Sequence, residues 1–172
     1  MLAGIAAAGI WAAAEPALGR AFGLPWYSER RLLGGLLGVG PGASLGVHLA
    51  NGAVFGAAFE HCGLRGPARG VLAAEAENLA LWPAMAIVDR VHADRRSGVW
   101  PALRGNKRVL AYEAAGHALF GFVLGALLAD RQRVAELRRR RLRAVGGRRR
   151  SGRVSRNRRG GDRLGRHPFA SP

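Results

Sequence analysis

The chain contains one cysteine, Cys62, and one lysine, Lys107, among 172 residues. A lone thiol forms no intramolecular disulfide and no paired-cysteine zinc site, so neither device holds this fold together. Cys62 reads instead as a small buried residue. Aromatic residues are scarce too, 7% of the chain against 49% hydrophobic residues overall. The apolar mass is consequently Ala, Leu, Gly and Val, a helix-packing composition. No Walker A, G-x-S-x-G or H-E-x-x-H motif occurs. Gly34-Gly35 with Gly38-x-Gly40 lacks the preceding strand and the following Lys-Ser/Thr of a phosphate loop. Catalytic residues, a cofactor and enzymatic activity are therefore not expected. Metal donors exist in His48, His61, Cys62, Glu113 and His117, but Glu113-x3-His117 is not the E-x-x-H of di-iron bundles, and no metal is expected.

The formal charge of +16 is not spread along the chain. Residues 1–130 carry 11 Lys+Arg against 9 Asp+Glu, whereas residues 131–172 carry 16 Arg against Glu136 and Asp162. The basicity belongs to the tail, so two regions are expected: a helical domain over 1–130 and an Arg-rich, largely disordered cytoplasmic tail over 131–172. RQRVAELRRRRLR extends the last helix by a few turns, and beyond Gly146 apolar periodicity is lost. Arg138, Arg139, Arg140 and Arg141 suit anionic lipid headgroups beside a membrane. Nucleic acid ranks last as a partner, because Phe169 is the only aromatic residue near these arginines for base stacking.

Four segments are apolar enough to be transmembrane helices: 1–19, 42–60, 70–88 and 109–129. Leu32 to Phe59 contains no formally charged residue. Glycine, costly in a water-exposed helix by about 1 kcal/mol, lets helices approach closely in lipid. The fold class expected is all-α, with about four transmembrane helices. A soluble bundle stays the alternative, since every segment is interrupted by polar residues. The first segment resembles a signal peptide in its apolar core and in Ala12 and Ala14, but no Lys or Arg precedes it, and it reads as a membrane helix. The short link over 64–69 predicts that the second and third helices are antiparallel neighbours. The Gly-rich connection over 24–42 predicts a short interfacial helix, with Trp26 and Tyr27 as headgroup-level anchors. The basic tail puts both termini in the cytoplasm, although the Arg-bearing elbows argue the other way.

An internal repeat is expected over 1–64 and 66–130. A shift of 65 places Glu29-Arg30-Arg31 on Asp94-Arg95-Arg96, and Leu45, Ala50, Phe55 and Gly56 on Leu110, Ala115, Phe120 and Gly121. A shift of 67 places Pro16 on Pro83. In that register His48 corresponds to Glu113 and Gly52 to His117. The second and fourth helices then meet through the pairs Gly52/Gly56 and Gly121/Gly125, and His48, Glu113 and His117 form an intramembrane polar cluster. On the third helix Glu75, Asn78 and Trp82 make one inward stripe, with Glu77 pointing elsewhere and Trp11 and Glu15 as the first helix's counterpart. Pro16 and Pro83 kink their helices, and Glu60 and His61 sit at the interface.

Glu15-Pro16, HLANGAVFGAAF, AENLALWPAMAIVDRVHADRRSG and EAAGHALFG together resemble a family of small integral membrane proteins of high-GC bacteria, a domain-of-unknown-function type, over residues 1–129. The resemblance implies a membrane location and brings no activity, substrate or site residue with it. A single Lys against 26 Arg agrees with a high-GC source. The expected role is a structural or interaction component of the cell membrane that oligomerises with itself through its glycine faces. The rival roles are a proton- or ion-coupled transporter or channel-like unit using intramembrane Glu and His, and a soluble basic nucleic-acid binder.

Overall fold

The computed structural model describes the backbone of residues 1–158 and the side chains of residues 1–141. Among the described residues every regular element is helical. The chain divides into two units, Met1–Asp130 and Arg131–Pro172. The expected disorder beyond Gly146 concerns residues whose side chains, and from 159 whose backbone, lie outside the described residues.

Four long apolar helices dominate the first unit. They are α1 (Leu2–Ala21), α3 (Pro41–His61), α4 (Pro67–Leu81) continued by α5 (Met85–Val91), and the part up to Asp130 of α7 (Lys107–Arg158). Leu2–Ala21, Pro67–Val91 and Lys107–Arg141 are each long and apolar enough to cross a membrane. A fourth span results when α3 is joined to α2 (Glu29–Leu37), from which it turns by 108°. The turn is written locally. Ser28 caps α2 by accepting a hydrogen bond from the Arg31 amide at 3.2 Å. Gly38 ends it at φ 65°, a left-handed conformation that costs glycine nothing, and Pro41 restarts the chain at the first position of α3. Pro83 lacks the amide donor a continuous helix needs, so Trp82–Ala84 tightens into a 3-10 turn between α4 and α5. Pro16 leaves α1 unbroken.

Glycine decides which helices touch. A Cβ on Gly56 would lie 2.8 Å from Gly4 Cα, and one on Gly52 would lie 2.9 Å from the Gly4 carbonyl oxygen. In the second half a Cβ on Gly121 would lie 2.8 Å from Val71 N, and one on Gly125 would lie 2.9 Å from Pro67 Cα. The close pairs are therefore α1 with α3 and α4 with α7. This corrects one expectation. The short link joins α3 and α4, which flank the same cavities, but the tight contacts lie elsewhere, and the two glycine pairs do not meet each other, because each is already filled by the helix that opens its own half. Such faces are also spent inside the monomer and are not open to a second copy.

The same contacts reset the repeat. Gly4 faces Gly52 and Gly56 as Gly70 faces Gly121 and Gly125, so α3 maps on α7 with a shift of 69, not 65. The matched strings are then His48-x3-Gly52-x3-Gly56 and His117-x3-Gly121-x3-Gly125. His48 corresponds to His117, and Glu113 to Ser44. The elbows keep the 65 shift: Arg30 reaches back to Glu15 at 2.5 Å, its counterpart Arg95 reaches back to Asp89 at 2.7 Å, and Arg31 bridges the two elbows to Asp94 at 2.8 Å.

Two apolar clusters result. One lies among the long helices and contains Ala7, Ala8, Trp11, Ala74, Phe120 and Leu124. The other closes the elbows and contains Leu24, Tyr27, Leu32, Trp100, Leu103 and Tyr112. Tyr27, expected at headgroup level, is thus buried, Trp26 is half-buried against it, and Cys62 is exposed at the end of α3. Outward-facing positions are apolar: Val54, Leu72, Leu79, Ile87 and Phe122 are all more than half exposed, a surface suited to hydrocarbon rather than water. Asp89 holds the second elbow by accepting from the Leu103 and Arg104 amides at 2.8 and 3.0 Å. Asp89→Asn should lower stability by about 1–3 kcal/mol, the cost of replacing a charged acceptor by a neutral one, measured as an earlier midpoint in denaturant titration of the detergent-solubilised protein.

Candidate functional site

Ionisable side chains converge inside the first unit from five segments. His48 on α3 is 2% exposed. Its Nε2 lies 3.1 Å from the Ala8 carbonyl oxygen, which can only accept, so Nε2 carries a proton. Nδ1 then faces Glu29 Oε2 at 3.0 Å, and neither atom has another partner among the described residues. The two make an ion pair when the imidazole is protonated. On α7, His117 Nδ1 donates to the Glu113 carbonyl oxygen at 2.8 Å, which leaves its Nε2 as an acceptor. The buried Glu113 carboxylate accepts from the Tyr27 hydroxyl and stands 3.8 Å from His117 Nδ1. Burial, and after it the Glu113 charge, push the Tyr27 phenol well above its ordinary range, so Tyr27 is a fixed donor at neutral pH.

Trp11 joins the two halves. Its ring lies 5.1 Å from that of His48 and 4.8 Å from that of His117, centroid to centroid. Around it is a small cavity of about 20 Å³ lined by Ala8, His48, Asn51, Glu77, His117 and Phe120, among others. That is room for one water molecule. Buried Trp11 Nε1 has no partner among the described residues. Trp11, His48, Glu77 and His117 come from four different helices, each from the middle stretch of its apolar run.

Asn51, Glu77 and His117 also line a larger groove of about 350 Å³. Its walls are Leu32, Leu33 and Leu36 of α2, Val47 of α3, Leu81, Trp82 and Met85 of the broken third span, and its floor adds Glu29, Asn78 and Glu113. Asn51 is exposed, so the groove opens sideways between α3 and α4, where a bilayer would lie.

Of the residues singled out in the sequence, His48, Glu113 and His117 do gather around one interior, but not as one bonded cluster. His48 pairs with Glu29, Glu113 with Tyr27, and His117 with its own helix. Glu75 is half-buried and accepts from Asn78 Nδ2 at 3.4 Å, while Asn78 faces the groove. Glu77, expected to point away, lines both cavities. Glu15 shares the buried face of α1 with Trp11, and its carboxylate ends on Arg30. Glu60 is exposed, 3.7 Å from the amino terminus. Glu29 and Tyr27 were missed as site residues. The Ser28 cap followed by an acid in the first turn was the available signal, and it reads as helix capping. Among the described residues no three metal donors converge. Arg138 to Arg141 are exposed on α7. No protein-family model, no curated protein and no solved structure matches the chain.

Proposed function

We propose that the chain is a multi-pass protein of the bacterial cell membrane, both termini cytoplasmic, whose interior passes protons or small cations as a transporter or channel-like unit. The observation that carries this reading is the Glu29–His48 pair, a largely buried carboxylate facing a buried imidazole at 3.0 Å. Ionisable groups inside a bilayer are costly and are retained for a task. Glu29 and Tyr27 lie at the elbow side and His48, His117 and Glu77 lie deeper, so titratable groups lead inward from one face. On the far side the Gly4–Gly52/Gly56 and Gly70–Gly121/Gly125 contacts leave no room for a continuous file of water. In this structure the interior is reached from the elbow side. Arg138 to Arg141, beside the apolar part of α7, suit anionic headgroups of the cytoplasmic leaflet.

The test is proton flux in proteoliposomes carrying the full-length chain, taken from membranes that retain it through an alkaline carbonate wash. The parent should collapse an imposed pH gradient, and Glu113→Gln should reduce the rate to that of protein-free liposomes while eluting as a folded species. Parent flux no faster than empty liposomes would sink the proposal. A second reading, a structural or interaction component that oligomerises, draws on the Pro67–Val91 span, of which only 17% of the apolar window is buried. Cross-linking across that helix would then trap dimers.

A further inference from the structure

The two halves differ at a second interior position besides Ser44 and Glu113. Gly4 and Gly70 are counterparts, so Trp11 and Glu77 are counterparts too. In the first half the indole fills the interior against both histidines. In the second half a carboxylate stands in its place, and the groove of about 350 Å³ opens beside it. Glu77 is the anomalous member of the network. Glu15 has Arg30, Glu29 has His48, Glu113 has Tyr27 and Glu75 has Asn78, yet among the described residues Glu77 has neither an ion pair nor a hydrogen bond. It sits mid-way along an apolar helix, where an uncompensated charge is expensive.

We propose that this groove binds a hydrophobic organic cation, a quaternary ammonium or phosphonium, with Glu77 as its counter-ion. The proposal deepens the reading above by naming a substrate class for the same interior. The dimensions fit, since cavities of roughly 300–1,000 Å³ accept drug-sized molecules. The chemistry fits as well. Leucine, valine and methionine walls take an apolar body, and Trp82 adds an aromatic ring to the lining. The floor has carboxylates at Glu29, Glu77 and Glu113, with His117 the only basic side chain on the lining. The sideways opening at Asn51 matches a ligand that arrives dissolved in the bilayer. A neutral lipid has no use for Glu77, and an anion would be repelled.

The experiment is equilibrium binding of tetraphenylphosphonium to the purified full-length protein in a neutral detergent, with tetraphenylborate, of the same shape and opposite charge, as the control. Saturable binding of the cation alone is expected, weakened at least about tenfold, or about 1.4 kcal/mol, by Glu77→Gln. Val47→Trp keeps every carboxylate, fills the groove and should weaken binding as much, so the test survives if either variant fails to fold. Equal affinity for the anion, no saturation, or unchanged binding in a folded variant would overturn the proposal. Proton flux without cation binding would leave the transport reading standing and remove this one.

Discussion

Gly121→Leu should eliminate the folded protein from detergent extracts, whereas Gly46→Leu should leave yield and elution profile unchanged. Both replacements put the same side chain into an apolar helix, so lipid partitioning and helix propensity cancel between them. Their surroundings differ. Beyond Gly46 there is no atom within 4 Å, while a Cβ on Gly121 would come within 2.8 Å of Val71 N. The obstacle is backbone on an opposing helix, which cannot rotate aside as a side chain can. Overpacking a core by a few methylenes costs about 1–3 kcal/mol when side chains adjust. Here α4 must leave α7, and with it goes the burial of Ala74 against Phe120 and Leu124. Fluorescence-detected size-exclusion of tagged variants reads the outcome. A monodisperse Gly121→Leu peak at parental yield would mean that α4 and α7 are not the tight pair. It would also undo the register of 69 that places His48 opposite His117.

That register marks where the sequence stops being legible. The four apolar runs are visible because hydrocarbon-length stretches of Ala, Leu and Gly have few other uses; α1, α3 and the joined α4 and α5 begin and end within a few residues of them, while α7 starts on time and runs past 129. The repeat is visible for the same reason. The shift of 65 fails on α3 and α7 by four residues, which is close to one helical turn. A slip of one turn returns every residue to the same face, so apolar patterning cannot distinguish 65 from 69; only the helix that fills the glycine notch can. Partner choice escapes the sequence in the same way. The spacing of Gly52 and Gly56 announces a notch and says nothing of who occupies it. Glu29 stands outside the apolar runs, in a segment whose alternation of charge and leucine reads as interfacial. Only the 108° turn at Gly38–Pro41 folds it back over His48. Trp100 and Leu103, in a loop with no periodicity, are among the most buried residues because Asp89 ties that loop down.

Arg30→Ala should destabilise the protein by about 3 kcal/mol, at the lower end of the cost of orphaning a buried charge. Glu15→Leu with Arg30→Leu should restore most of the loss. Glu15 is the member that matters. Its side chain is 1% exposed, whereas that of Arg30 is 33% exposed. Removing the arginine leaves a carboxylate with no ion-pair partner inside apolar packing. Removing both leaves an apolar contact of similar volume, which commonly matches or exceeds a buried pair in stability. The asymmetry also predicts the order of the single variants: Glu15→Gln, which leaves a half-exposed cation, should cost less than Arg30→Ala. Denaturant titration of the parent, Glu15→Leu, Arg30→Leu and the double variant in one detergent closes the cycle. If Glu15→Leu and Arg30→Leu cost the same and the double variant is additive, the pair is not coupled. The elbow would then be held by its apolar cluster of Tyr27, Leu32, Trp100 and Tyr112 alone. If the cycle shows coupling, each elbow is fastened to the end of its preceding helix by one arginine, Arg30 to Glu15 and Arg95 to Asp89. The polar interior would in that case be held at its mouth by ion pairs and at its base by glycine contacts.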